Sequence, residues 1–252
     1  MIIDYPAENA AAQLRALWKE AFGDEDAFLD AFFATGFSPD RCRCVTIDGQ
    51  IAAALYWFDC SWDGKPMAYL YAVATGKAYR GQGLCRKLMA NTHEHLKYLG
   101  YAGAVLVPGE PTLFDLYKKL GYEAFGSVED FSCRAEEPSI PVKKIDASEY
   151  ARLRRALLPP GGILQEGDLL RFLSTVAEFY AGEGFVMAGS RDGSHLQTQE
   201  YLGDICHAPG ILTALGLQTG HFRTPGNGRK NAMYFPFSPI DRPPGYLGLP
   251  LD

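Results

Sequence analysis

Apolar positions along the first half of the chain switch repeatedly between helix-like and strand-like spacing. Leu14 and Leu17, then Phe28, Leu29, Phe32 and Phe33, mark two amphipathic helices, and a strand leads from them to an Asp48-Gly49 turn. Ala68 to Thr75 reads as a buried strand. After it, Leu84, Leu88, Met89, Leu96 and Leu99 follow a helical period until Gly100 supplies a stop. A strand is predicted over Ala102 to Val107, broken by Pro108-Gly109. A short helix over Thr112 to Leu120 is closed by Gly121, and a further strand starts at Tyr122.

Glu136-Glu137-Pro138-Ser139-Ile140-Pro141 interrupts this pattern, and the boundary between two domains, 1–137 and 138–252, is expected there. Beyond it the opening pattern returns. Ile145-Asp146 and Leu153 to Leu157 echo Ile3-Asp4 and Leu14 to Leu17. Leu169, Leu170, Phe172 and Leu173 supply a second helix, and Asp192-Gly193 a turn. Asp4 and Asp146 are 142 residues apart, Gly49 and Gly193 144 apart, an offset steady enough to read as an internal repeat. Strand Gln197 to Leu202, helix Pro209 to Leu215 and strand Lys230 to Phe237 come next. The proline-rich tail Ser238 to Asp252 is expected on the surface or against the first domain. The class is α/β, in two related lobes.

Composition narrows the function without naming it. The 252 residues, 47% hydrophobic, suffice for two globular domains. No run approaches the ~18 apolar residues of a membrane span, and MIIDYPAENA lacks a basic-then-apolar leader, so a cytoplasmic protein without membrane association is expected. A net charge of −6 and a pI near 5.4 argue against nucleic acid and are compatible with a cationic amine. Cys42, Cys44, Cys60, Cys85, Cys133 and Cys206 read as reduced thiols. His93 and His95 face apart on one helix, and no metal site is expected.

The strongest chemical signal is Arg80-Gly81-Gln82-Gly83-Leu84-Cys85, where the strand ending at Thr75 gives way to the long helix. Two glycines let backbone approach a ligand closely, and a helix start presents unpaired N–H groups and a positive dipole end, which together suit phosphate. A P-loop is excluded because no G-x-x-x-x-G-K-[ST] run occurs. A dinucleotide fingerprint is excluded because Arg86 stands where its third glycine belongs.

Residues 1–135 resemble the GNAT superfamily of N-acetyltransferases. Arg80 to Cys85 matches the R-G-x-G-h-G form of that family's loop, with Cys85 for the last small residue. Val73-Ala74-Thr75 resembles its V-x-P strand end, with Thr for Pro. Leu116-Tyr117-Lys118-Lys119-Leu120-Gly121-Tyr122 resembles its L-Y-x-K-x-G-F/Y segment, and Glu110 stands where the family often has Asn. The resemblance implies a mixed, mostly antiparallel sheet flanked by helices and splayed to admit acetyl-CoA, and the internal repeat then makes the second half a smaller, degenerate GNAT-like lobe. It implies that Arg80, Gly81, Gln82, Gly83, Leu84, Cys85 and Arg86 hold the coenzyme A pyrophosphate, and that Ala72, Val73 and Thr75 hold its pantetheine arm through their main chain. No Arg-Gly-x-Gly recurs after Gly193, so one donor site per chain is expected.

Acetyl transfer to an amine needs removal of an ammonium proton, because a primary amine titrates near ~10, and a proton for the departing thiolate. By position Tyr117 is the expected acid, although a tyrosine on a short amphipathic helix also serves as core packing. Glu110 is the leading base, with Asp59, Tyr71 and a chain of water as alternatives; a carboxylate there also suits a helix N-terminus. Two other readings remain open, a coenzyme A sensor without turnover and a tandem aminoacyl transferase using charged tRNA, the latter disfavoured by the acidic balance. The second lobe is expected to shape the acceptor side, where Phe179, Tyr180 and Phe185 are candidates for lining or for core. A small-molecule or peptide amine is the expected acceptor; polyamine, antibiotic, amino acid and protein N-terminus or lysine all fit.

Overall fold

The computed structural model describes residues 1–239 and 242–249. Strand β1 (Ile2–Asp4) is followed by helices α1 (Ala11–Phe22) and α2 (Asp26–Thr35), strands β2 (Cys42–Ile47), β3 (Gln50–Trp62) and β4 (Lys65–Thr75), then helix α3 (Leu84–Tyr98). Strand β5 (Gly103–Leu106), helix α4 (Pro111–Lys119) and strand β6 (Glu123–Arg134) complete the first half. The second half contains β7 (Lys143–Ile145), α5 (Ala147–Leu157), β8 (Leu164–Gln165), α6 (Asp168–Leu173), β9 (Glu178–Gly182), β10 (Phe185–Asp192) and β11 (His195–Leu202). It ends with α7 (Ala208–Ala214), β12 (Thr219–Pro225) and β13 (Arg229–Pro236).

All but β8 lie on one path, β1-β2-β3-β4-β5-β13-β6-β12-β11-β10-β9-β7, and β8 pairs with β3. Neighbours are antiparallel except β4 with β5 and β11 with β12. The sheet is therefore mixed and mostly antiparallel, as expected. We call β1 to β6 with their helices lobe one and β7 to β12 with theirs lobe two. The chain does not divide as simply. The boundary expected at 137/138 falls between β6 and β7, yet β13 returns from the chain's far end to pair with β5 and β6.

Alternation along β3 shows why helices cover both faces. Ala54, Tyr56, Phe58, Cys60 and Trp62 point into a core shared with Leu14, Trp18 and Phe32 of α1 and α2; Ala53, Leu55 and Trp57 point into one shared with Leu84, Leu88 and Leu96 of α3. Helix α1 stops at Gly23, whose φ of 78° closes the last turn. Helix α5 starts at Asp146, whose carboxylate accepts from Glu149 N at 2.8 Å.

For two segments the structure decides between the readings the sequence left open. Phe179, Tyr180 and Phe185 are all buried in the cores of lobe two, so their bulk goes to packing. The described part of the tail takes the second of its two expected places, against the first domain, where Leu247 joins the core beneath α1 and α2. Tyr246, Leu247 and Leu249 are buried between the lobes, Ile163 N donates to Tyr246 O at 2.8 Å, and Arg154 Nη2 donates to Leu247 O at 2.9 Å. Three apolar residues in that tail give it more to gain from burial than its prolines suggest. Ile240, Asp241 and 250–252 lie outside the described residues.

Candidate active site

Strand β4 is held by β5 only at Met67, Ala68 and Tyr69, paired with Gly103, Ala104 and Val105, after which it runs on to Thr75 without that neighbour. On its other edge the register to β3 slips by one residue, Ala54 pairing with Ala74 but Tyr56 with Tyr71. Leu55 thus faces both Ala72 and Val73, and Ala72 has a φ of 48°, a left-handed conformation that costs an alanine about 1–2 kcal/mol. A bulge with strained backbone stands at the point where β4 and β5 part.

The glycine loop comes at once after it. A 3₁₀ turn over Lys77–Tyr79 leads through Arg80, whose Nε donates to Thr75 O at 3.1 Å. Gly81 and Gly83 have φ of 77° and 73°, which β-branched residues do not adopt without strain. A Cβ added at either would meet no atom within 4 Å, so here the glycines serve conformation and leave the surrounding space open. Gly83 caps α3 without a side-chain bond, and no acidic residue lies in that helix's first turn. Arg80 and Arg86 are exposed, and Lys77 N donates to Glu20 Oε1, tying the loop to α1. The arrangement suits an anion that spans several amide groups.

On the inner side of the gap lies a cavity of about 490 Å³. Tyr71, Ala72 and Val73 of β4 line it, with Gly109 and Tyr117 beyond β5. Tyr117 is 7% exposed and packs edge-on to Tyr122 at 5.7 Å between centroids. Burial, with a smaller contribution from nearby Cys85, pushes the Tyr117 hydroxyl well above the usual phenol range. It keeps its proton at any ordinary pH. Burial likewise raises the Cys85 thiol, which is no ready thiolate.

The other candidates separate. Glu110 is exposed at the N-cap of α4, within 3.4 Å of Thr112 Oγ1, and does not line the cavity. Asp59 accepts from Arg41 Nη1 at 2.9 Å and from the Tyr101 hydroxyl, and faces a different cleft. Tyr71 does line the cavity. His93 is buried against Tyr122, their polar atoms 2.7 Å apart, whereas His95 meets the exposed Tyr5. Among the described residues no three His, Cys, Asp or Glu side chains gather into a group that would hold a metal ion, and no helix is long and apolar enough to cross a membrane.

The far wall of the cavity was missed residue by residue, although a contribution from lobe two was expected. It is built from Trp18, Phe22, Asp24 and Phe28 of the first two helices and their turn, and from Leu173, Val176 and Gln199 of lobe two. The density of aromatic residues from Trp18 to Phe37 is a signal for it, but the same density reads equally well as core. Nothing local marks Asp24 or Gln199.

Residues 3–125 match the family profile described as the acetyltransferase (GNAT) domain. The chain is similar in structure to a GCN5-related N-acetyltransferase from Kribbella flavida, at 19% identity and a TM-score of 0.71 over 92% of this chain and 70% of that one. It is also similar to a GCN5-related N-acetyltransferase from Anabaena variabilis, at 15% identity and a TM-score of 0.69 over 92% and 72%. A tandem GNAT protein from the clavulanic acid biosynthesis pathway aligns at 11% identity and a TM-score of 0.58 over 95% of this chain and all 100% of its own. At such identities the likeness is one of fold. No curated protein sequence matches the chain.

Proposed function

Because residues 3–125 of this chain form a GNAT acetyltransferase domain, we propose that the protein moves an acetyl group from acetyl-CoA directly to a primary amine, at one site in lobe one. The observation that carries this reading is the continuity of three features: the glycine loop, the gap between β4 and β5, and a cavity in which Tyr117 is buried.

Acetyl-CoA supplies the thioester and the thiolate leaving group. Amides of the Gly81 to Arg86 segment hold its pyrophosphate, with Arg80 and Arg86 adding charge-assisted contacts. The pantetheine arm lies along β4 as an added strand would, held by the main chain of Ala72, Val73 and Thr75, and the bulge aims backbone N–H at the acetyl carbonyl. Tyr117 gives its hydroxyl proton to the departing sulfur, and the proton that the attacking nitrogen sheds as the amide forms returns to the tyrosinate. The ammonium proton of the acceptor leaves through water at the cavity mouth before the amine attacks.

Calorimetry tests the donor site and thiol release tests the chemistry. Wild-type protein is expected to bind acetyl-CoA and Gly83→Val to lose that binding, because a β-branched residue at φ 73° distorts the loop. Tyr117→Phe is expected to bind acetyl-CoA normally and to lower kcat about 10²-fold. Wild-type protein that fails to bind acetyl-CoA overturns the donor site. Binding without thiol release in the presence of amines makes the protein a sensor instead, and an undiminished kcat in Tyr117→Phe removes the acid.

A further inference from the structure

Among the described residues that line the cavity, Asp24 is the one Asp, Glu, Lys, Arg or His. Its Oδ2 accepts from Trp18 Nε1 at 2.7 Å, which fixes the carboxylate at the edge of the indole while leaving its other oxygen for a ligand. Around it stand aromatic rings: Trp18 lies 5.8 Å from Phe22, 6.4 Å from Phe28 and 5.5 Å from Tyr71, and Tyr69 stands 6.2 Å from Tyr71. From the opposite wall lobe two contributes Leu173, Val176 and Gln199, and the buried Oε1 of Gln199 has no hydrogen-bond partner. A buried amide oxygen without a partner calls for a donor, and a ligand N–H is one.

We propose that the acceptor is a monoamine with an apolar, preferably aromatic, body, its ammonium held by Asp24 over the aromatic faces and its orientation completed by Gln199 of lobe two. This rests on the acetyl-transfer reading above and adds the acceptor class to it. The charge count selects the class. One carboxylate neutralises one ammonium, so each further ammonium of a polyamine would be desolvated without a counter-charge. Rings and aliphatic side chains, by contrast, gain from covering an apolar body, and ring faces attract a cation within about 6 Å. Gln199 gives lobe two a part in the reaction: it is a positioning residue for the acceptor, while donor binding stays in lobe one.

The full-length protein is tested first for acetyl-CoA binding by calorimetry, then for thiol release with phenethylamine, spermidine and a lysine-containing peptide as acceptors. The expected result is a kcat/KM for phenethylamine at least about tenfold above that for either polar acceptor, the scale of one charged hydrogen bond. Asp24→Asn is expected to raise the KM for phenethylamine about tenfold or more, yet leave inhibition by the neutral isostere phenethyl alcohol within about twofold. A variant that had merely disturbed the fold would lose both. Gln199→Leu is expected to raise that KM about fivefold with kcat unchanged. Absence of acetyl-CoA binding overturns the donor reading on which this proposal stands. Intact binding with spermidine or the peptide preferred overturns the acceptor class alone, as does an Asp24→Asn protein whose KM for phenethylamine is unchanged.

Discussion

Lobe one runs through β1-β2-β3-β4 to a strand, β5, parallel to β4; lobe two runs through β7-β9-β10-β11 to β12, parallel to β11. In both, the parallel pair is joined across a helix and holds only three residue pairs. Past the point of divergence the two lobes differ. Beside β4 there is a cavity, a glycine loop and the 15-residue α3. Beside β11 the protein has used its own atoms. Thr198 Oγ1 accepts from Arg223 N at 2.9 Å, and Glu200 is buried under Arg154, with Nε 2.7 Å from its Oε2, and under the Tyr150 hydroxyl at 2.6 Å. The tail packs so closely there that a Cβ at Gly248 would fall 2.0 Å from Glu200 Oε1. The crossover helix of lobe two, α7, has 7 residues, and Gly226-Asn227-Gly228 joins β12 to β13 where lobe one has α4 and Tyr117. The same strand order thus makes an open cleft when the gap is left free and a structural joint when side chains and tail close it.

The sharpest way to break this contrast is to open the joint. Arg154 and Glu200 are 1% and 0% exposed. Arg154→Met leaves the carboxylate buried without its partner and is expected to lower stability by about 3–5 kcal/mol in urea denaturation, while Arg154→Met with Glu200→Leu recovers most of it. Acetyl-CoA affinity of the folded fraction should stay within about twofold, because neither residue of the pair lines the cavity or belongs to the glycine loop. If affinity collapses with stability, the two gaps do not have separate roles.

A smaller effect is expected where β13 meets lobe one. His93 stacks on Phe235 of β13 at 4.4 Å, and burial lowers its pKa to about 4 from an ordinary 6.5. The unfolded chain takes up a proton near the ordinary value and the folded chain only near the lower one. Stability is therefore complete above about pH 6.5 and falls as the pH drops toward 4, by up to about 3 kcal/mol. His93→Phe keeps the ring stack and should flatten the acid limb of a denaturation series; an unchanged limb assigns the loss to other groups. The smallest effect belongs to Glu110. Because it is exposed and outside the cavity, Glu110→Gln should leave kcat within about twofold. A large drop would restore it as the base.

Distance along the chain decided how much of this was legible in the sequence. The strand, loop and helix from Ala68 to Leu99 and the segment around Tyr117 are local, and period, glycine and motif order locate them. The turns at Asp48-Gly49 and Asp192-Gly193 are local as well. The cavity wall proposed for the acceptor is not. It joins residues near 18–28 to residues near 173–199, and each of these reads on its own as core. The place of β13 was equally hidden, since Lys230 to Phe237 signals a strand but says nothing about whether β5 or a lobe-two strand is its partner.

That place sets a timetable for making the protein. Met233 must pair with Leu106, and β13 fills the space between β5 and β6. As the chain leaves the ribosome, the edges of β5 and β6 wait, with hydrogen-bonding groups exposed, until nearly the whole second half has been synthesised. A nascent chain stalled before residue 229 would hold the glycine loop and Tyr117 on an unfinished sheet, prone to pairing with other chains. The glycine loop and Tyr117, the proposed donor site, lie early in the sequence, but the sheet that carries them is complete only once β13 is in place.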